Sequence, residues 1–312
     1  MKRAVAGLIM VFGLIFLTSC ESKRVLPLTI GMCPWPGYEP IPLAEKLGFF
    51  KKPIKIIRYS SPHEAYKAFK NGAIDLVALT IDELLKLGDS GMTPKVFLIT
   101  DISKGADALV ANPTIKNIQD LKGKRIGLES SVLAQYFLQR ILDHAKTVKF
   151  DDVTLKTIDI VKQHQAYIEG KADAFITFEP ARSALIASGA KVLFDSSMIP
   201  NEILDAVATR QEVIEKRSDD VKMFVNGWYQ AMAYIQKYPN QAYKDMGMIE
   251  NISQETFEKS LEGLEYGTKE LNQKMLHDKE IIPALKRLKS IMIKNNFIKD
   301  NNQSIESLLG VL

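Results

Sequence analysis

Ala65-Tyr66-Lys67-Ala68-Phe69-Lys70-Asn71-Gly72-Ala73-Ile74-Asp75-Leu76-Val77-Ala78-Leu79-Thr80 and Ala166-Tyr167-Ile168-Glu169-Gly170-Lys171-Ala172-Asp173-Ala174-Phe175-Ile176-Thr177-Phe178 read as two copies of one unit. Each runs helix, glycine, aspartate, strand. Gly72 and Gly170 stand where a helix ends, a position that favours a residue without a Cβ. The apolar runs that follow have the unbroken hydrophobicity of strands buried on both faces, as in a parallel sheet. Aligned on the glycines and aspartates, the chain presents Thr80, Asp82 and Glu83 beyond the first strand and Glu179 beyond the second. Ligands of open α/β sheets bind outside the carboxyl ends of the strands, so two facing units frame a cleft.

Working outward, further strands are expected over Pro27–Met32, Ile54–Tyr59, Val96–Thr100, Arg125–Leu128, Thr154–Ile158 and Lys191–Phe194, with helices between them. After about Gln211 the pattern reads as wholly helical: Val213–Tyr238, Gln254–Leu264 and Lys279–Asn295 carry apolar residues at three- and four-residue spacing. These helices are expected to pack back on the first lobe.

At the N-terminus, Lys2 and Arg3 precede an uncharged apolar run, Ala4–Phe16, which is too short for a stable membrane span and reads as a signal peptide. The run ends in Leu17-Thr18-Ser19-Cys20, which resembles a bacterial lipobox; cleavage after residue 19 would leave Cys20 as the lipidated first residue. The mature chain of about 290 residues is long enough for two domains. It loses the two charges of Lys2 and Arg3 from the net +4, leaving +2, and such a balance disfavours nucleic acid as a partner. Later apolar segments such as Ile74–Leu79 are soon interrupted by charge, so no further span is expected. With Cys20 lipidated, Cys33 has no partner for an internal disulfide. The segment 20–27, with Lys23 and Arg24, reads as a short tether.

The chain resembles the solute-binding proteins of the nitrate/sulfonate/taurine type, the SsuA/THI5-like or NMT1-like group. The resemblance rests on Gly31 with Pro34-Trp35-Pro36-Gly37-Tyr38 and Leu43-Ala44, on Asn71-Gly72 through Asp75, and on Thr80-Ile81-Asp82-Glu83. It continues through Gly105-Ala106-Asp107-Ala108-Leu109, Asp120-Leu121-Lys122-Gly123-Lys124-Arg125-Ile126-Gly127, Phe178-Glu179-Pro180 and Leu193-Phe194-Asp195-Ser196-Ser197-Met198-Ile199-Pro200. It implies an α/β, two-lobed type II periplasmic-binding fold, a clamshell with a ligand cleft between the lobes and a helical C-terminal segment. Lobe I would comprise 28–105 and 206–312, and lobe II 106–205, with crossings near Ala106–Ala111 and Ala206–Thr209. It also implies an ABC permease as membrane partner, a monomeric carrier, no cofactor and an extracytoplasmic location.

Trp35 and Tyr38 leave the first strand in a Pro- and Gly-punctuated loop from which rigid rings can face a ligand. Asp82 and Glu83 either contact a cationic group, or Asp82 caps the helix that begins there. Glu129-Ser130-Ser131 precedes the helix Val132–Ala145, so its hydroxyls and free N–H groups form an anion site or a simple N-cap. Glu179 is expected to point inward with Phe178 as a wall. Acidic and aromatic residues favour a cation and the serine-lined helix start an anion, so a zwitterion or a nitrogen heterocycle satisfies both.

Rival readings are an intracellular pyrimidine-synthesising enzyme of the same fold, a cysteine hydrolase combining Cys33 with His63, His144, His164 or His277, and a sensor subunit docking on a membrane receptor. The lipobox and the scattered histidines disfavour the two enzymes, and no metal-ligand spacing is present.

Overall fold

The computed structural model describes residues 26–301 and 303–310; the signal peptide, the lipobox with Cys20 and most of the tether lie outside the described residues. In chain order the elements are β1 (Leu28–Met32), α1 (Pro40–Lys46), β2 (Ile54–Arg58), α2 (Pro62–Lys70), β3 (Leu76–Thr80), α3 (Ile81–Lys86), β4 (Lys95–Ser103) and β5 (Ala108–Ala111). Next come β6 (Arg125–Leu128), α4 (Val132–Ala145), β7 (Thr154–Thr157), α5 (Gln163–Ile168), β8 (Ala174–Thr177), α6 (Ala181–Ala187) and β9 (Lys191–Asp195). The chain closes with β10 (Leu204–Thr209), α7 (Gln211–Lys237), α8 (Pro239–Glu250), α9 (Gln254–Leu261), β11 (Leu264–Tyr266), α10 (Lys269–Asn272) and α11 (Ile282–Lys294).

The two copies of the repeat fold alike. Gly72 and Gly170 adopt φ of 73° and 63°, and each helix closes with a six-to-one bond, Ala73 N to Ala68 O and Lys171 N to Ala166 O, both 2.9 Å. The aspartates then tie each strand to its neighbour. Asp75 accepts from the backbone N–H and hydroxyl of Thr29 at the start of β1, each 2.9 Å, and Asp173 accepts from the backbone N–H of Arg125 at the start of β6, 2.8 Å, and from its guanidinium. Parallel pairing follows in both places, β1 beside β3 and β6 beside β8.

Two sheets result, ordered β11-β4-β10-β3-β1-β2 and β7-β6-β8-β5-β9. Each has a parallel trio, β2-β1-β3 or β7-β6-β8, extended by an antiparallel strand that arrives from the other half of the chain: β10 in the first, β5 in the second. The first sheet is covered on one side by α2, α3 and α11 and on the other by α1 and α7. The second lies between α4 and the pair α5 and α6. This is the two-lobed α/β arrangement expected from the repeat.

Two expectations need correction. Leu264 belongs to a strand, not to the end of a helix: β11 pairs antiparallel with β4, Leu264 opposite Ser103 and Tyr266 opposite Asp101. Gly267 permits this, because a Cβ there would sit 1.8 Å from the Ile99 carbonyl oxygen. The crossings are also displaced. Ala206–Thr209 is paired on both sides within β10, and the chain passes between sheets through 104–107 and 196–203. These two segments are bound together: Ser103 Oγ meets Ser196 Oγ at 2.7 Å, Gly105 N donates to Ser196 Oγ at 2.6 Å, and Ser196 N donates to Asp107 O at 2.9 Å.

Because Asp75 satisfies the first donor of β1, Asp75→Ala leaves a part-buried N–H without its partner and should lower stability by about 1–3 kcal/mol. Urea denaturation followed by circular dichroism measures this; an unchanged midpoint would show that the repeat aspartate has no role in setting the sheet.

Candidate functional site

Residues at the carboxyl ends of β1, β3, β6 and β8 line one cavity, together with Asp205 of β10. The equivalence of the trios places Cys33, one residue past β1, and Glu129, one residue past β6, in corresponding positions, and both line this cavity. It is narrow, because buried side chains from both lobes fill it.

From the first lobe, Trp35 and Tyr38 enter the cavity from the loop after β1, both buried. Trp35 Nε1 donates to both carboxylate oxygens of Asp101, at 3.2 and 3.1 Å, and Tyr38 Oη donates to Asp205 Oδ1. Between them, Gly37 lets Asp101 approach: a Cβ at this position would lie 1.9 Å from Asp101 Oδ2. Across the cleft the Trp35 ring meets Phe178 edge-on, centroids 5.8 Å apart at 78°. One aromatic from each lobe therefore closes the cavity.

Thr80 ends β3 and donates from Oγ1 to Glu83 Oε2 at 3.3 Å; Glu83 lines the cavity. Asp82 is buried beside it, outside the lining, with Oδ2 unpartnered. The residue at the cap position of α3 is Thr80, so Asp82 is not the cap. Glu129, 6 % exposed, lines the cavity and has an unpartnered Oε2.

Three expected residues are turned to other tasks. Ser131 accepts from Ala134 N at 3.1 Å and is the N-cap of α4, while Ser130 is exposed. Glu179 is buried but bends into the first turn of its own helix, accepting from Arg182 Nη1 at 2.9 Å and from the backbone N–H and hydroxyl of Ser183, each at 3.1 Å. Free N–H groups at a helix start attract a nearby carboxylate, and that local pull takes Glu179 away from the cavity.

Sequence reasoning missed Asp101, Asp107 and Asp205. Asp205 lies directly opposite Asp101 on one side and Thr80 on the other, so β10 brings the three side by side in one row of the sheet. Asp107 follows the first crossing and lines the cavity with Glu129. The available signal was a single aspartate inside or against an apolar run: Thr100-Asp101-Ile102, Ala106-Asp107-Ala108 and Leu204-Asp205-Ala206.

Burial raises the pKa of every one of these carboxyl groups. Asp107 and Glu129 are pushed up to about 7, first by desolvation and then by neighbouring carboxylates. Glu83 and Asp205 are raised well above the usual range by burial and by repulsion from Asp82 and Asp101 respectively, and Asp82 and Asp101 are raised chiefly by burial. Arg182 lowers Asp107 slightly, but its guanidinium is bound to Glu179. Burial, with Glu129, Glu83 and Asp205 nearby, also pushes the Cys33 thiol well up, which keeps it protonated and a poor nucleophile.

The sequence model of the family described as NMT1/THI5 like matches residues 35–242. The chain belongs to that family. It is 29 % identical over 175 residues to the taurine-binding periplasmic protein of Escherichia coli strain K12, a match covering 51 % of this chain and 53 % of the relative, so it spans about half that relative's length. The fold is that of the periplasmic aliphatic sulphonate binding protein SsuA from Escherichia coli: TM-score 0.73 at 16 % identity, covering 91 % of this chain and 97 % of the other. The desulfurization enzyme DSZB shares the fold as well, at TM-score 0.63 and 16 % identity over 88 % of this chain and 94 % of that one. Family members and fold relatives thus include binding proteins and an enzyme. Among the described residues, no helix is long and apolar enough to cross a membrane.

The raised carboxyl groups give the ligand-free protein a pH signature. Asp107 and Glu129 hold protons up to about 7 when folded but only to about 4 when unfolded, so the folded state binds more protons in that window and stability falls as pH rises through it. The melting temperature should drop from about pH 5 to pH 8, and Glu129→Gln should flatten the slope. A melting temperature that rises over this range in differential scanning fluorimetry would contradict the assignment.

Proposed function

We propose that this protein is the substrate-binding lipoprotein of an ABC importer, capturing a small organic, nitrogen- or sulfonate-containing solute between its lobes and delivering it to a membrane permease. The observation that carries the reading is the Trp35–Phe178 contact across a cavity lined from both sheets, at the ends of strands joined by two short crossings. Family membership supports it, as does the description of the taurine-binding relative. In this reading lobe I comprises 28–105 and 206–312 and lobe II 106–205. Cys20 carries the lipid that holds the monomer at the extracytoplasmic membrane face, and the solute itself is not transformed.

The paired crossings at 104–107 and 196–203 act as the hinge. Solute meets Trp35, Tyr38 and Glu83 on lobe I, and the swing of lobe II then brings Glu129 and Phe178 against it. A near-complete switch between open and closed populations requires the closed form to bind better by about 5.5 kcal/mol, which contacts from both lobes can supply together. The closed form presents the joint surface that a permease reads.

Small-angle scattering of the lipoprotein in detergent, with its solute at saturation and without, should show a smaller radius of gyration in the bound state. Phe178→Ala removes the lobe II half of the closing contact and should weaken solute binding by about tenfold or more. Unchanged dimensions on saturation would exclude hinge closure as the signal to the permease.

A further inference from the structure

We propose that the solute is a small organic cation, a protonated amine or an amidine-bearing compound, bound through Glu83, Asp107 and Glu129 and selected against free sulfonate and nitrate. The inference rests on the solute-binding reading above and specifies the ligand's charge.

The cavity walls carry Glu83, Asp107, Glu129 and Asp205, and no Lys or Arg is among the lining residues. Of these, Asp205 is engaged by the Tyr38 hydroxyl, as Asp101 beside it, outside the lining, is engaged by Trp35 Nε1. Glu83, Asp107 and Glu129 have no cationic partner within the cavity, and Glu129 Oε2 has no hydrogen-bond donor at all although only 6 % of the residue is exposed. A buried carboxylate oxygen without a donor costs the full loss of its hydration, so the vacancy favours a ligand that brings N–H groups and positive charge together.

Donors for an anion are few on this wall: Ser130 faces solvent, Ser131 Oγ accepts from the backbone N–H of Ala134 and keeps only its own hydroxyl hydrogen to give, and Arg182, outside the lining, has Nη1 on Glu179 and Nε unpartnered. Once ionised, Glu83, Asp107 and Glu129 attract a cation and repel an anion strongly, because the medium around them has a low dielectric. The rest of the wall suits an organic cation: Trp35, Tyr38 and Phe178 line the same space, and aromatic faces attract ammonium and amidinium groups. Among the described residues, no three His, Cys, Asp or Glu side chains converge closely enough to hold a metal ion.

The test is a melting and calorimetric titration of the lipoprotein in detergent at about pH 8, above the value of about 7 to which Asp107 and Glu129 are pushed. Benzamidine, ethanolamine and putrescine are compared with taurine, methanesulfonate and nitrate at matched ionic strength. At least one of the three cations should bind about tenfold or more tightly than each of the three sulfonate or nitrate probes. Glu129→Gln and Asp107→Asn should each weaken that cation by about tenfold or more, while Asp120→Asn, on the surface of lobe II, leaves it unchanged. Both cavity variants lose a buried charge and should melt no lower than the parent without ligand, so loss of binding is separable from loss of fold. Tighter binding of taurine, methanesulfonate or nitrate overturns the cation assignment and leaves the solute-binding reading standing. Binding of none of the six by a folded sample also overturns it, and co-purification with a permease then decides the importer reading separately.

Discussion

Asp205 and Asp101 face each other across an antiparallel ladder, both buried, and much of the site follows from how the fold tolerates that pair. Like charges directly opposite in a sheet are destabilising, and burial makes their ionisation more costly still. The loop after β1 answers the problem: Trp35 and Tyr38 each give a polar hydrogen to one of the two carboxyl groups. The same bonds fix both rings in the cavity, and Gly37 has no side chain because the carboxylate occupies its space. Since β10 is the strand that returns from the second lobe, the pair also ties the floor of the site to the hinge.

The cavity therefore holds a cost that the rest of the protein bears. Six carboxyl groups with raised pKa values lie in and around one small space, and the ligand-free molecule keeps them by holding protons. A core optimised for stability alone would place apolar residues there, as replacement of buried charge by hydrophobic side chains often stabilises a fold. Retaining charge in such a place is the behaviour of a binding site, in which an incoming partner supplies what the free protein lacks.

Much of the fold was legible in the sequence because its signals are local. A glycine capping a helix, an aspartate three residues later and an apolar strand repeat in both halves, and the structure uses both aspartates to pin the neighbouring strand. The rule that ligands gather at strand carboxyl ends brought Trp35, Tyr38, Thr80, Glu83, Glu129 and Phe178 to attention, and all six line the cavity. What was hidden depended on pairing between distant segments. Asp101 and Asp205 look like isolated acids in apolar runs until β10 sets them opposite each other, a register that single-segment patterns do not encode. β11 was missed for the same reason, three residues too short to show an alternation. Glu179 and Ser131 misled in the opposite direction, since the start of a helix claims a nearby oxygen before a cleft can.

The repeat also fixes where the charge of the site is decided. The backbone places two pairs of strand ends face to face and leaves the first residues beyond them free to vary, so the sign of the site is set by side chains at positions such as Cys33, Glu129, Thr80 and Phe178. The N-terminus of α4 carries a positive partial charge in any sequence, but here Glu129 stands two residues before its cap, Ser131, and adds a carboxyl group to the same wall. A backbone suited to an anion is thus converted by one residue into a wall that presents negative charge to the cavity. Asp107 and Glu83, reaching the same space from the crossing and from α3, extend that wall across both lobes. In the proposed closure, ionised carboxyl groups of the two lobes would approach one another, which opposes the swing unless they hold protons or a cation lies between them.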